Sequence, residues 1–222
     1  LWYAGGVPAV MLEVKEFLHL DCLTVTGKTL GENLDEIDAG SFFIQNAGYL
    51  ANVKVDRNEV IRPRRDPFGP EGGIAVLRGN LAPGGAVIKH FSVPKEMHVH
   101  VGPARVFDTE DLAVEALLSR EVKPGDVVII RYEGPKANGM PEMYYATAII
   151  AASKELSATC AVITDGRYSG AAKGPAVGHV TPEAQDGGPI ALVHEGDLIE
   201  INVPERRLAI VGTSDGPMDP TA

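Results

Sequence analysis

From Gly72 onward, short β-type runs recur along the chain, and tight turn signals separate them. Only two segments in this stretch have helical patterns, residues 109–119, with Asp108 as the predicted N-cap, and residues 141–156. Many strands with few helices predict an α+β domain with a closed or sandwich-like β core and outer helices. The predicted strands are residues 74–77, 86–89, 99–101, 127–132, 158–164, 190–193, 198–203 and 208–211.

The first 70 residues have a different texture. A helix is predicted over residues 6–20, where apolar positions recur at helical spacing, and a strand over residues 23–26. Residues 32–70 are polar and irregular, which predicts a connector or a surface excursion. The chain does not begin with methionine, so we expect it to be a piece of a longer protein. The boundary between these two parts of the chain is predicted between residues 70 and 71.

A serine lies in a turn that follows one of the predicted strands. The apolar run 161–164 ends in Asp165-Gly166, and Ser169 follows with Arg167 and Lys173 on either side. Positive charge favours an alkoxide, so this serine is a candidate base or nucleophile. It is not a G-x-S-x-G elbow, because the residue two before Ser169 is arginine. A strand-to-helix turn with an incidental serine remains the alternative.

A second candidate lies where a strand is predicted to join a helix. Residues 134–140 are rich in glycine, and Pro141 suits the first turn of the helix that is predicted to follow. Glu142 is then expected in that first turn. There its carboxylate either caps the helix or points outward as an oxygen ligand for Mg²⁺.

Residues 178–189 form a turn-rich cluster just after the serine loop. His179 is a candidate base with Glu183 as its partner, and a structural histidine at the end of a strand is the alternative. Both interpretations stay open at the level of sequence.

Composition excludes several classes of function. The formal net charge of −10 argues against nucleic acid as a partner. The chain has two cysteines, Cys22 and Cys160, too far apart for a metal motif, and they indicate a reducing compartment. No run of eighteen apolar residues and no signal peptide are found, so we expect a cytoplasmic protein without a membrane partner.

Several long motifs, in order along nearly the whole chain, resemble the dihydroxy-acid dehydratase and 6-phosphogluconate dehydratase family. One of them, Ile163 to Gly170, is the serine turn described above, and it is similar to the carboxy-terminal signature of that family. The other matching segments are residues 4–11, 23–30, 72–83, 102–108, 178–180 and 187–191.

The resemblance implies the dehydration of a 2,3-dihydroxy acid to a 2-keto acid. It implies Ser169 as the base that removes a proton, and Glu142 as a ligand of Mg²⁺. Arg167, Gly170 and His179 are implied as contacts of the hydroxy-acid substrate. An iron–sulfur cluster is implied as the Lewis acid on the departing hydroxyl.

The same resemblance implies that this chain is the carboxy-terminal portion of such an enzyme. The cluster cysteines and the remaining Mg²⁺ ligands of the family lie in an amino-terminal domain, and Cys22 and Cys160 match none of them. Residues 71–222 then resemble the swivelling β/β/α domain, a β-barrel with outer helices, and residues 1–70 the tail of the preceding domain with a connector. We expect a homo-oligomer, and no activity from this chain alone.

The substrate and the catalytic role keep alternatives. A branched-chain dihydroxy acid is the leading substrate, and an aldonic (sugar) acid is the second. The sequence departs from the family pattern at Ala137-Asn138 and at Ala172, which affects the substrate more than the chemistry. A binding module that kept the fold and lost catalysis is the alternative from another functional class.

Overall fold

The computed structural model divides the chain into two compact units, Leu1–Glu71 and Gly72–Ala222. The residues that the structure describes are 1–169, 172, 174–213, 216 and 217. The first unit contains three α-helices, Gly6–Glu13 (α1), Leu30–Ala39 (α2) and Phe42–Asn52 (α3). The helix predicted over residues 6–20 ends at Glu13, and a short 3-10 helix follows at Lys15–Phe17. The small core of this unit is formed by Ala4, Ala9, Leu50 and Ile61.

The prediction of a connector over residues 32–70 is wrong, because this stretch contains most of α2 and all of α3. A capping box starts α2: the Thr29 hydroxyl accepts the Glu32 N–H, and the Glu32 carboxylate accepts the Thr29 N–H at 2.7 Å. Threonine followed three residues later by glutamate is a readable helix start. The strand predicted over residues 23–26 is also absent, since Leu23 forms only a single bridge with Thr29.

One mixed sheet organises the second unit. Its order is β1-β2-β6-β5-β4-β3-β7-β8-β9 over the described residues. The four strands β3, β4, β5 and β6 run parallel, and every other neighbouring pair is antiparallel. The strands are Ala75–Leu77 (β1), Gly85–Ile88 (β2), Val99–Phe107 (β3), Val127–Ile130 (β4), Ala161–Thr164 (β5), Ala176–Thr181 (β6), Leu198–Asn202 (β7), Arg207–Thr213 (β8) and Gly216–Pro217 (β9).

The sheet curls until the end of β1 meets β8. Arg78, directly after β1, forms a parallel bridge with Arg207, and its carbonyl accepts the Leu208 N–H at 2.9 Å. The Asn80 carboxamide then bonds the backbone of Ile210 twice, donating at 3.0 Å and accepting at 2.7 Å. Strands β1 to β8 therefore form a ring in which neither β1 nor β8 presents a fully open edge.

The central parallel strands, β4 and β5, are buried on both faces. Val127 and Ile129 of β4 lie in a cluster formed mainly by the sheet, whereas Val128 and Ile130 pack with the helices Glu110–Leu118 (α4) and Tyr144–Ala152 (α5). This explains why β4 is an uninterrupted apolar run rather than an alternating one. A mixed sheet with helices packed on one side is the α+β architecture that the sequence predicts.

Two predicted boundaries need correction. The N-cap of α4 is Thr109, whose hydroxyl accepts the Leu112 N–H at 3.3 Å, while Asp108 pairs with Arg131 at 2.6 Å instead. The run 158–164 is a strand only from Ala161, because its first residues belong to a helix at Leu156–Thr159 (α6). Within the described residues, none of the helices is both long and apolar enough to cross a membrane.

The strand predicted over residues 190–193 is a 3-10 helix, Pro189–Leu192. Proline at its start favours that conformation. The Arg131 guanidinium donates to the carbonyl oxygens of Ala191 at 2.8 Å and Val193 at 3.0 Å. A distant side chain thus satisfies carbonyl groups that would otherwise need a neighbouring strand.

Strand β6 is missing from the sequence prediction. Its pairing with β5 joins Val162 to Ala176 and Ile163 to Val177. Glycine and histidine at positions 178 and 179 interrupt the apolar pattern, so this segment resembles a turn in sequence. The sheet places His179 within a strand.

We expect Gly79→Ala to lower the free energy of unfolding by about 1–3 kcal/mol. A Cβ atom at this position would lie 2.1 Å from the Leu208 carbonyl oxygen, so the contact between β1 and β8 would have to open. Urea denaturation of the chain measures the change. Gly72→Ala is the control, because a Cβ atom there meets nothing within 4 Å. Equal effects of the two substitutions would contradict this account of sheet closure.

Candidate functional site

The serine turn starts from a buried aspartate at the end of β5. Asp165 is 1% exposed, and its carboxylate accepts three backbone N–H groups. These come from Tyr132 at 3.2 Å, Glu133 at 2.9 Å and Ala184 at 2.8 Å. The carboxylate thus ties the segment after β4 and the segment after β6 to the end of β5. Charge-assisted bonds of this kind are among the stronger ones in proteins.

The next residue of the turn, Gly166, is hydrogen-bonded to its own strand and to β6. Gly166 donates its N–H to the Thr164 hydroxyl at 3.0 Å, and its carbonyl accepts the His179 N–H at 2.8 Å. The turn is therefore held from within its own strand and from β6.

Glu142 lies beside this turn in an extended segment. It forms a parallel bridge with Arg167, in which the Met143 N–H donates to the Arg167 carbonyl at 2.8 Å. The expectation that Glu142 occupies the first turn of a helix is wrong, because α5 begins only at Tyr144. The backbone at Glu142 is paired with Arg167 instead of forming the hydrogen bonds of a helix. The Glu142 side chain is exposed, so its carboxylate is accessible to a ligand.

A buried glutamate holds the glycine-containing loop that precedes Glu142. Glu183 is 7% exposed, and its carboxylate accepts the Lys136 N–H at 2.9 Å. A Cβ atom at Gly134 would lie 1.9 Å from the same carboxylate, so glycine is required for this approach. Glu183 therefore supports the loop, and the interpretation of it as the partner of His179 is not supported by its contacts.

The other side of that loop is held by Glu133, which is also buried. Its carboxylate accepts the Asn138 side-chain N–H at 2.6 Å and the Glu110 N–H at 3.0 Å. Glu110 in turn accepts the Ala146 N–H of α5 at 2.9 Å. Burial raises the pKa of the Glu110 carboxyl above its ordinary value, and the charge of Glu133 adds to this effect.

Ser169 is half-buried and follows an anchored tyrosine. The Tyr168 ring packs against Gly178, where a Cβ atom would lie 3.1 Å from the ring. Burial raises the pKa of the Tyr168 phenol well above its ordinary value, and its hydroxyl has no hydrogen-bond partner among the described residues. On the other side, the Lys89 ammonium donates to the Ser169 carbonyl oxygen at 3.1 Å.

A small cavity of about 160 Å³ adjoins the serine segment. Its walls are mostly apolar, and Lys89 and His179 contribute the polar groups. The lining residues are Val87, Lys89, Tyr168, Ala176, Gly178 and His179. Such a concave, mainly apolar space with few polar groups is typical of a site for a small molecule.

The structure brings four of the five predicted site residues to one end of β5. Ser169 and Arg167 lie on the turn, Glu142 pairs with the turn, and the exposed His179 lies beside it on β6. Gly170 lies outside the described residues, as does Lys173. The side chain of Arg167 is exposed, whereas its backbone is paired.

Two features of this region were missed by the sequence analysis. The sequence pattern predicts Asp165 only as part of a turn, although an acidic residue directly after a largely apolar strand is a signal of a buried carboxylate. Lys89 ends a predicted strand and carries no local motif, so nothing in the sequence linked it with Ser169.

The described residues do not form a complete metal site by themselves. No group of three or more histidine, cysteine, aspartate or glutamate side chains with metal-binding geometry is found in the described part of the chain. Glu142 is a suitable single oxygen ligand for Mg²⁺, which takes few protein carboxylates. The cysteines do not fit an iron–sulfur cluster: Cys22 is exposed on its own, and the buried Cys160 thiol donates to the Lys123 carbonyl.

We expect the free energy of unfolding of Glu110→Gln to increase, relative to that of the unsubstituted chain, as the pH rises from 4 to 7. Because the folded state raises the pKa of Glu110, its contribution to stability is present at low pH and is lost as it ionises. The glutamine oxygen keeps an acceptor for the Ala146 N–H but does not ionise. Urea denaturation across this pH range measures the difference.

Glu115→Gln, at an exposed position of the same helix, is the matched control for the Glu110 substitution. The difference in free energy of unfolding between Glu115→Gln and the unsubstituted chain should change less with pH. A difference for Glu110→Gln that stays flat from pH 4 to pH 7 would contradict the assigned environment of this carboxyl.

Known proteins resemble this chain over nearly all of its length. A dihydroxy-acid dehydratase from Methanosarcina barkeri is 52% identical over 206 residues, which are 92% of this chain and 35% of that protein. Another from Acetivibrio thermocellus is 53% identical over 213 residues, 95% of this chain and 35% of that protein. The chain thus spans about a third of the length of these curated relatives.

Residues 59–216 match the family described as Dihydroxy-acid/6-phosphogluconate dehydratase C-terminal. The match contains the serine turn, the segment of Glu142 and the strand of His179. It covers most of the second unit, including β1 to β8. The chain therefore belongs to the dihydroxy-acid/6-phosphogluconate dehydratase family and corresponds to its carboxy-terminal part.

Proposed function

We propose that this chain is the carboxy-terminal catalytic portion of a hydro-lyase that converts a 2,3-dihydroxy acid to a 2-keto acid. The observation that carries the proposal is the backbone bridge between Glu142 and Arg167, two residues before Ser169. It places the segment that carries a carboxylate suited to a cation beside the turn that carries the candidate base. The dihydroxy-acid dehydratases among the relatives support this class of substrate.

The second unit is proposed to be the swivelling β/β/α domain of such an enzyme. The support is the sheet in which β1 returns to β8, together with α4 and α5 packed against its parallel strands. A rigid sheet with the candidate residues on loops at one end is a common arrangement for enzymes.

Ser169 is proposed to remove the proton from carbon 2 of the substrate. The electrons of that C–H bond form the C2–C3 double bond, and the hydroxyl on carbon 3 leaves and becomes water with one added proton. The resulting enol gains a proton at carbon 3 and becomes the 2-keto acid. Serine must be an alkoxide for this step, so cationic neighbours such as Arg167 favour it.

Glu142 is proposed as one ligand of Mg²⁺, whose charge, when the ion is bound, would stabilise the substrate carboxylate and acidify the adjacent C–H. We propose that its remaining ligands, and those of an iron–sulfur cluster, come from residues outside this chain. The two cysteines of the chain do not fit the cluster. The chain by itself is then expected to be inactive.

Arg167 and His179 are proposed as contacts for the acid. A guanidinium binds a carboxylate through paired N–H donors, and an exposed imidazole at the cavity suits a hydroxyl group. Gly170 remains a predicted contact. The same proposal carries with it a cytoplasmic location and a homo-oligomer, which stay predictions.

Ser169→Ala is expected to reduce dehydration by the full-length protein by at least about a thousandfold, because the methyl group cannot accept a proton. Iron and Mg²⁺ content should stay unchanged. The measurement is 2-keto acid formation from a panel of 2,3-dihydroxy acids and aldonates, with metal analysis. Ser119→Ala, at an exposed helix end, is the control. Substantial turnover by Ser169→Ala would refute the role as base.

Glu142→Gln is expected to raise the Mg²⁺ concentration needed for half-maximal activity by about tenfold or more, since the amide has lost the negative charge that binds the ion. Titrating metal-depleted full-length protein with Mg²⁺ measures this. Glu155→Gln removes the same charge from an exposed position before α6 and should leave the titration unchanged. Identical titrations for both variants would rule out Glu142 as a ligand.

A further inference from the structure

Lys89 directly follows β2 and contacts the serine turn. Its ammonium donates to the Ser169 carbonyl oxygen at 3.1 Å. The preceding residue, Ile88, pairs with Val177 of β6, and β6 pairs with β5, from which the turn emerges. Two strand ladders therefore set the position of the ammonium relative to the serine.

The backbone is held at both residues that flank the Tyr168–Ser169 peptide bond. The Tyr168 ring is anchored against Gly178, and the next carbonyl, that of Ser169, accepts the lysine N–H. Lys89 and Tyr168 also share the walls of the 160 Å³ cavity. The lysine side chain is half-buried, so its charge is screened less than that of an exposed lysine.

We propose that Lys89 is a positioning residue for Ser169, which fixes the serine main chain and favours the alkoxide form of its side chain. The inference rests on the proposed role of Ser169 as the base. The physical reason is that a positive charge within about 4–6 Å stabilises an anion and lowers its pKa. The lysine donates this bond to the backbone carbonyl of Ser169, so the bond does not occupy the serine hydroxyl. Lys89 itself exchanges no proton with the substrate.

Other charged groups lie on the elements around the turn. Arg167 belongs to the turn, Glu142 pairs with it, and His179 lies on β6. Burial is the main cause of the raised pKa of the Tyr168 phenol, and the charge of Glu110 on α4 adds to it. Removing Lys89 leaves all of them in place. The change in charge is then confined to position 89.

The test is Lys89→Met in the full-length enzyme with its iron and Mg²⁺ content verified. The active serine is the deprotonated one, so loss of the neighbouring cation raises its pKa. The rising limb of the kcat profile is therefore expected to move to higher pH by about one unit, with kcat at neutral pH down about tenfold. KM is expected to stay within about threefold, because the lysine acts through the serine.

Two further substitutions separate charge from packing. Lys89→Arg keeps the cation and a donor, and it is expected to restore most of kcat and the original profile. Lys154→Met removes the same charge from an exposed site in the connection that enters β5, at the opposite end of that strand from the serine turn, and is expected to change nothing. If Lys89→Met does not fold, Lys89→Gln tests the same loss of charge with a donor retained.

The proposal is overturned if Lys89→Met, or Lys89→Gln in its place, keeps the pH profile of the unsubstituted enzyme. It is also overturned if only KM rises, which would make the lysine a substrate contact, or if Lys89→Arg behaves like Lys89→Met. Failure of the proposed function gives a different result: either the unsubstituted enzyme dehydrates no acid, or Ser169→Ala retains turnover.

Discussion

The buried carboxylate of Asp165 and the three backbone N–H groups that it accepts hold the candidate site together. A buried charge without partners would destabilise the fold, whereas hydrogen bonds to a charged group contribute about 1.5–3 kcal/mol each. The three donors come from the ends of two neighbouring segments of chain. The loops after β4, β5 and β6 therefore depend on one side chain for their relative position.

Buried carboxylates also hold the loop that leads to Glu142. Glu183 and Glu133 are both buried, and each accepts backbone or side-chain donors from residues 134–138 or from the start of α4. Carboxylates suit this task because they accept several N–H groups at once. The loop that precedes the exposed Glu142 has no regular structure and is held by these carboxylates.

Much of the sheet follows from local pattern. The apolar runs that became β1, β2, β4, β7 and β8 are visible in the sequence, because burial of β-branched residues leaves a readable signal. The elements that were predicted wrongly depend on partners far away in the chain. Residues 190–193 form a 3-10 helix whose carbonyls are satisfied by Arg131, and β6 is recognised only through its pairing with β5. Helix α2 is an exception, since its capping box was readable.

The sequence alone determined the family, through ordered motifs, and it identified Ser169, Glu142, Arg167 and His179 as candidates. Tertiary structure decided how they meet. Glu142 is extended rather than helical because its backbone pairs with Arg167, 25 residues further along the chain. Lys89 reaches the serine turn only because β2 pairs with β6. Such contacts join residues that are distant in sequence, and no local propensity or spacing encodes them.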